Sequence, residues 1–112
     1  MSHSRIRADN QDEMLAAVLT IAPIGTSLKD AKTQMDKEGF ECKIIKNDSF
    51  SEDPGFIGDN DVYRSVENVN YLKCTRIESA GFLVCHLWTV AIVYDDADTV
   101  SDVLVLHQMD GP

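Results

Sequence analysis

The sequence has few basic residues and no long apolar run, and both shortages limit what the protein can do. Only 10 Lys and Arg stand against 19 Asp and Glu, which gives a net charge of −9. Nucleic acids and anionic membrane surfaces need clustered Lys and Arg, so we expect neither as a partner. No run of 18 apolar residues exists, so we expect no membrane span. Residues 1–7 also lack the apolar core of a signal peptide.

Motifs that carry chemistry are missing as well. The three cysteines, Cys42, Cys74 and Cys85, show no Cys-x-x-Cys or Cys/His ligand spacing, so we expect no metal site. No catalytic or nucleotide-binding motif stands out, and we therefore predict a protein that is not an enzyme and has no cofactor. What is present is a globular composition, 44% hydrophobic and 26% charged over 112 residues, which predicts a single domain spanning residues 1–112.

Two helices are predicted in the first third of the chain. Residues 9–21 begin with Asp and Asn, which suit a helix N-terminus, and then repeat apolar residues at helical spacing. For the helix over residues 27–38, Thr26 or Ser27 is a good N-cap, and Gly39 follows where helices often end in a left-handed residue. We expect residues 1–8 ahead of them to be disordered.

Strands are predicted after the helices. Residues 40–45 alternate apolar and polar side chains, and residues 71–77 form the next strand after a polar stretch at 47–70 that predicts a long loop. Residues 82–94 and 99–108 hold the densest β-branched content and predict a hairpin closed by an acidic turn. The pattern predicts an α+β fold with two N-terminal helices packed on one face of an antiparallel sheet of about four strands.

The register of the strands decides which side chains share a face. We pair Asp95 with Asp98 across the final turn, which sets the register of the hairpin. We pair Glu78 with Leu83 across the turn before it, which places Cys74 under the helices because side chains alternate between faces. The opposite, open face then carries a mixture of aromatic, apolar and polar side chains: Tyr71, Lys73, Thr75, His86, Trp88, Val90, Tyr94 and His107.

An apolar second face needs a cover, which another part of the chain, a second subunit or a partner protein can provide. Trp88 is either a core aromatic or an exposed anchor of this face. The leading hypothesis is a binding module that contacts another protein, or its own copy in a homodimer, through the open face. The competing hypothesis is a small enzyme or ligand-binding protein with a pocket on that face. The candidate binding residues are Tyr71, Lys73, His86, Trp88, Tyr94 and His107.

The cysteines and histidines allow several pairings. Cys42 and Cys74 are predicted on the same side of neighbouring strands, so they are candidates for a disulfide, with two free thiols as the alternative. Cys85 and His86 are adjacent and therefore point to opposite faces of a strand, which argues against a catalytic dyad. His86 and His107 are predicted opposite each other, but no third metal ligand is evident.

Short segments of the chain resemble small bacterial envelope proteins. They are Ile24-Gly25-Thr26 at the capped helix, Trp88-Thr89-Val90-Ala91-Ile92 in the hairpin, and the pair Gly39-Phe40-Glu41-Cys42 and Tyr71-Leu72-Lys73-Cys74. Together with the order of elements, they resemble the β-lactamase inhibitor protein repeat and the BamE (SmpA/OmlA) lipoprotein group. The resemblance implies a protein-binding or scaffolding module in the periplasm or cell envelope. The absence of a signal peptide keeps the cytoplasm as the alternative location.

Overall fold

The computed structural model describes residues 6–53, 64–81 and 84–110. Two helices, α1 (Gln11–Ile21) and α2 (Leu28–Lys37), confirm the predicted pair. The side chain of Asn10 caps α1 by accepting a hydrogen bond from the Glu13 N–H at 2.9 Å, and Ser27 caps α2 in the same way. Gly39 has a φ of 85° after α2, as its place in the sequence predicts.

Four antiparallel strands follow in chain order and complete the predicted α+β fold. The prediction of a loop over residues 47–70 was wrong at both ends, where residues 47–51 and 65–70 belong to strands. Residues 54–63 of that stretch lie outside the described residues. The strands are β1 (Glu41–Ser51), β2 (Ser65–Gly81), β3 (Val84–Tyr94) and β4 (Val100–Asp110).

The helices cover one face of the sheet, here called the inner face. Met14 and Val18 of α1 and Met35 of α2 are fully buried there. They pack in one cluster with side chains of three strands, among them Leu72, Cys74, Trp88, Val90, Ile92, Val103 and Val105. Burying this much apolar surface is the main force that holds helices and sheet together.

A buried arginine ties the N-terminal segment to this core. The Arg76 guanidinium, 5% exposed, donates to the backbone oxygens of Glu38 and Ile6, both at 2.8 Å, and to the Glu78 carboxylate at 3.2 Å. It also lies 4.7 Å from the centre of the Phe40 ring. Residues 6–8 are therefore held against the fold, contrary to the prediction of disorder, while residues 1–5 lie outside the described residues.

The observed strand registers differ from the predicted ones. Between β3 and β4, Trp88 faces His107 instead of Val105, a shift of two residues that preserves the faces. Between β2 and β3, Cys74 faces Val90 instead of Leu87, a shift of three residues that exchanges them. The reason is that β2 continues as far as Gly81, so the turn lies further along the chain than predicted.

The other face of the sheet, the outer face, is partly covered by the chain itself. Phe50 near the end of β1 and Val66 near the start of β2 pack on a second buried cluster of Tyr71, Ala91, Val93 and Leu104. The Tyr71 hydroxyl donates to the Ser49 carbonyl at 3.1 Å. The paired ends of β1 and β2 therefore fold across the sheet toward β4.

Two asparagines make this fold-over possible. Asn47 and Asn68 have φ values of 52° and 54°, and they lie in the part of the β1–β2 ladder where the register shifts. Such bulges bend and twist a strand pair, and Asn is one of the few residues that tolerate left-handed backbone. The Asn70 side chain accepts a hydrogen bond from the Asn47 N–H at 2.9 Å and helps to hold the bend.

Candidate functional site: the β1 edge and its cysteine pair

The aromatic residues of the predicted binding surface are buried and form no exposed surface. Trp88 is 1% exposed, Tyr71 5% and Tyr94 8%. Trp88 lies in the core between helices and sheet, stacked on the His107 ring with centroids 4.1 Å apart. Tyr71 belongs to the second cluster on the outer face.

The candidate binding residues are also divided between the two faces. Lys73 pairs with Ala91 and lies on the outer face with Tyr71, whereas His86, Trp88 and His107 follow the inner face. The cause is the shift of three residues between β2 and β3. A pocket built from Lys73, His86 and His107 together is therefore excluded by the sheet that separates them.

His86 and His107 do meet, although they are not register partners. Nδ1 of His86 lies 2.7 Å from Nε2 of His107, so one ring must donate and the other must accept in neutral form. Burial lowers the pKa of His107, and the nearby His86 charge lowers it further, while Glu78 acts in the opposite direction. No group of three or more His, Cys, Asp or Glu side chains within the described residues is placed to hold a metal ion.

The free edge of β4 is closed by side chains for which the sequence predicts no such role. Glu52 accepts a hydrogen bond from the Val105 N–H at 2.7 Å, and Gln11 accepts one from the His107 N–H at 2.9 Å. Arg64 donates to the Val103 carbonyl at 3.3 Å. Edge strands that are blocked in this way resist pairing with another chain. The only sequence signal was a polar stretch beside an apolar hairpin, which also fits a solvated loop.

The edge of β1 is arranged differently. Cys42, Cys74, Val90 and Val105 form one row of partners across the four strands. Because the Val105 N–H points outward to Glu52, the alternation of antiparallel bonding directs Val90 and Cys74 toward each other and Cys42 outward. The same reasoning directs the backbone of Ile44 outward. Among the described residues, no side chain accepts from either N–H, and Ile44 is 49% exposed.

A cavity of about 580 Å³ lies beside this edge. Lys43 and Lys73 both line it and are directly opposite each other on β1 and β2. Like charges in this position destabilise a strand pair, so an acidic group beside them is stabilising, and the carboxylates of Asp36 and Glu41 line the same cavity. The remaining lining residues are Phe40, Cys42 and Thr75.

Cys42 and Cys74 face each other in the row described above. Their sulfur atoms are 3.1 Å apart, with Cys74 fully buried and Cys42 partly exposed toward the cavity. The hydrogen bond with Cys42 raises the pKa of the Cys74 thiol strongly, and burial raises it further. The structure thus brings together the two predicted cysteines and leaves Cys85, which pairs with Ser79, in a different row.

The chain matches no family model, no curated protein and no solved structure. The resemblance to envelope proteins therefore stays a prediction. Over the described residues, neither helix has the length and apolar character needed to cross a membrane.

Proposed function

We propose that this protein is a non-enzymatic binding module that accepts an extended segment of a partner protein as a fifth strand beside β1. The observation that carries the proposal is the difference between the two sheet edges. Side chains occupy the outward backbone groups of β4 at Val103, Val105 and His107, whereas those of β1 at Cys42 and Ile44 are unoccupied by any described side chain. An added strand satisfies such groups through main-chain hydrogen bonds.

The side chains around this edge indicate what the partner segment should contain. The outer side presents the exposed residues Glu41 and Lys43, and the inner side presents the half-exposed Ile44. A strand placed here alternates its side chains between the two sides. We therefore expect an apolar residue against Ile44 and, one position away, an acidic residue against Lys43 and Lys73.

The resemblance to envelope proteins supports a periplasmic or envelope location for this module. That part of the proposal is tested separately, by fractionating cells that express the natural protein. Recovery in the cytoplasmic fraction would contradict the location and leave the binding mode untouched.

A displayed peptide library provides the direct test of the binding mode. Peptides selected on the wild-type chain should slow amide hydrogen exchange of Cys42 and Ile44. Ile44→Pro removes an outward N–H without removing a bond of the β1–β2 ladder, so it should weaken peptide binding about tenfold or more. The matched control is Ile77→Ser, which changes the most exposed apolar side chain of the outer face, 72% exposed, and should leave binding unchanged.

The outcomes separate the binding edge from the competing surface. A selected peptide that tolerates Ile44→Pro but is lost with Ile77→Ser would place the contact on the outer face and contradict the strand-addition mode. Failure to select any peptide on a folded chain would contradict it as well.

A further inference from the structure

We infer that Cys42 and Cys74 form a reversible disulfide across β1 and β2, and that Cys42 is the thiol that reacts first with the oxidant. The inference is independent of the proposed binding function. The two sulfurs have different roles in forming the bond, and the bond controls the ends of β1 and β2.

The position of the pair in the sheet suits a bond. Cys42 and Cys74 are direct register partners, and the outward direction of the Cys42 backbone makes theirs a pair without mutual backbone hydrogen bonds. Side chains of such pairs lie closer together than those of hydrogen-bonded pairs, and their Cα separation falls within the range that a disulfide spans. The sulfur separation of 3.1 Å shows that both side chains already point toward each other.

The two thiols differ in access. Cys74 is fully buried, so a soluble oxidant cannot reach it directly. Cys42 is partly exposed and lines the cavity beside β1. Cys85 cannot replace either of them, because it lies on β3 in register with Ser79, on the outer side of the sheet, while the pair faces inward.

The chemistry is a thiol–disulfide exchange with a low-molecular-weight disulfide as oxidant. The Cys42 thiolate attacks one sulfur of the oxidant, forming a mixed disulfide and releasing one thiol. Cys74 then loses its proton and attacks the Cys42 sulfur, which breaks the mixed disulfide and releases the second thiol. The two cysteines give up two electrons and two protons, and the oxidant takes up both.

The bond has a defined structural consequence. It joins the two ends of the segment from residue 42 to residue 74, which contains the ends of β1 and β2 that fold across the outer face. Closing this loop reduces the freedom of the unfolded chain and should raise the midpoint of thermal unfolding by about 10 °C. Oxidation should therefore also hold the ends of β1 and β2 more firmly against Tyr71 and Leu104.

Oxidised glutathione is the probe for the test, with the intact mass and peptide mapping as readouts. Cys85→Ser, which lacks the third and partly exposed thiol, should lose two hydrogens, with the bond mapped to Cys42 and Cys74, and the wild-type chain should form the same bond. In the same Cys85→Ser background, Cys74→Ala should stop at one glutathione, on Cys42. Cys42→Ser should take up none at Cys74 while it remains folded, as checked by circular dichroism.

Two results would overturn the inference. One is an unchanged mass of Cys85→Ser at oxidant concentrations that fully oxidise a control dithiol. The other is equal uptake of glutathione at Cys74 in folded Cys42→Ser and at Cys42 in Cys74→Ala, which would remove the distinction between entry and buried thiol. If Cys74→Ala fails to fold, the order can be tested by exposing Cys85→Ser briefly to the oxidant and trapping it with acid. The mixed disulfide must then map to Cys42.

Discussion

At the scale of single residues, buried polar groups hold the segments that border the hydrophobic core in place. Arg76 replaces water with two backbone carbonyls, a carboxylate and an aromatic ring, although its Nε has no partner among the described residues. A lysine in its place would carry the charge but not the planar fork that reaches two carbonyls at once. A single Arg in a strand is normally exposed, so nothing in the sequence marks Arg76 as a buried residue.

The histidine pair predicts a pH dependence. The pKa of His107 is lowered in the fold, so the unfolded chain binds protons more readily, and stability should be lost as the pH falls below the ordinary value of 6.5. Because the ring is only partly buried, water screening keeps the loss to about 1 kcal/mol or less. His107→Phe retains the stacking on Trp88 and removes the titration. Urea unfolding at pH 7 and pH 5 should therefore show a smaller loss in the variant, and equal losses in both proteins would contradict this account.

At the scale of elements, the two edge strands of the sheet, β1 and β4, differ in whether side chains bind their outward backbone groups. The polar side chains of Gln11, Glu52 and Arg64 replace the missing neighbour of β4. They come from α1 and from the segments that flank residues 54–63, so distant parts of the sequence cooperate to close one edge. β1 has no comparable set among the described residues, and the proposal that a partner strand adds beside β1 rests on this asymmetry.

Glu52 tests the closure of the β4 edge. Glu52→Ala leaves the buried Val105 N–H without its acceptor and should lower the free energy of unfolding by about 1–3 kcal/mol. It should also promote association that rises with protein concentration, since the freed edge can pair with another chain. Glu52→Gln keeps an oxygen acceptor and serves as the control. Denaturant unfolding and sedimentation velocity measure the two effects, and a monomeric Glu52→Ala with wild-type stability would contradict them.

At the scale of the whole molecule, different parts of the chain cover the two faces of the sheet. The helices cover the inner face, and the ends of β1 and β2 turn back over part of the outer face. An apolar second face can be covered by another part of the chain, a second subunit or a partner protein. Here the chain itself provides the cover. The uncovered remainder includes Ile77, the most exposed large apolar side chain among the described residues.

The fold-over depends on a left-handed residue at position 47. Asn47→Ala places a Cβ-bearing residue without local polar compensation at a φ of 52°, which should cost about 1 kcal/mol. Asn47→Gly accepts that backbone freely and should remain close to the wild type. Amide exchange of Tyr71 and Leu104 should accelerate in the alanine variant alone. Unchanged exchange in both variants would show that the cover does not depend on this bend.

The sequence alone determined the local elements of this protein. The caps at Asn10 and Ser27, the glycine at position 39 and the β-branched runs of the hairpin all act over a few residues, so their pattern is visible without the fold. The pairing of Cys42 with Cys74 could also be anticipated, because both belong to strands that are recognisable locally. The candidate surface could not, since it required the correct register between β2 and β3.

Tertiary structure alone decided the register, the fold-over and the contrast between the two sheet edges. A strand offers the same apolar and polar alternation in several registers, and a slip of three residues between β2 and β3 was enough to move Lys73 away from His86 and Trp88. From the sequence, Asn47 and Asn68 are predicted to be loop residues. Only the bulged β1–β2 ladder shows that they belong to strands. The physical reason is that helix caps and side-chain periodicity are local, whereas register and edge closure depend on contacts between residues as far apart as Gln11 and His107.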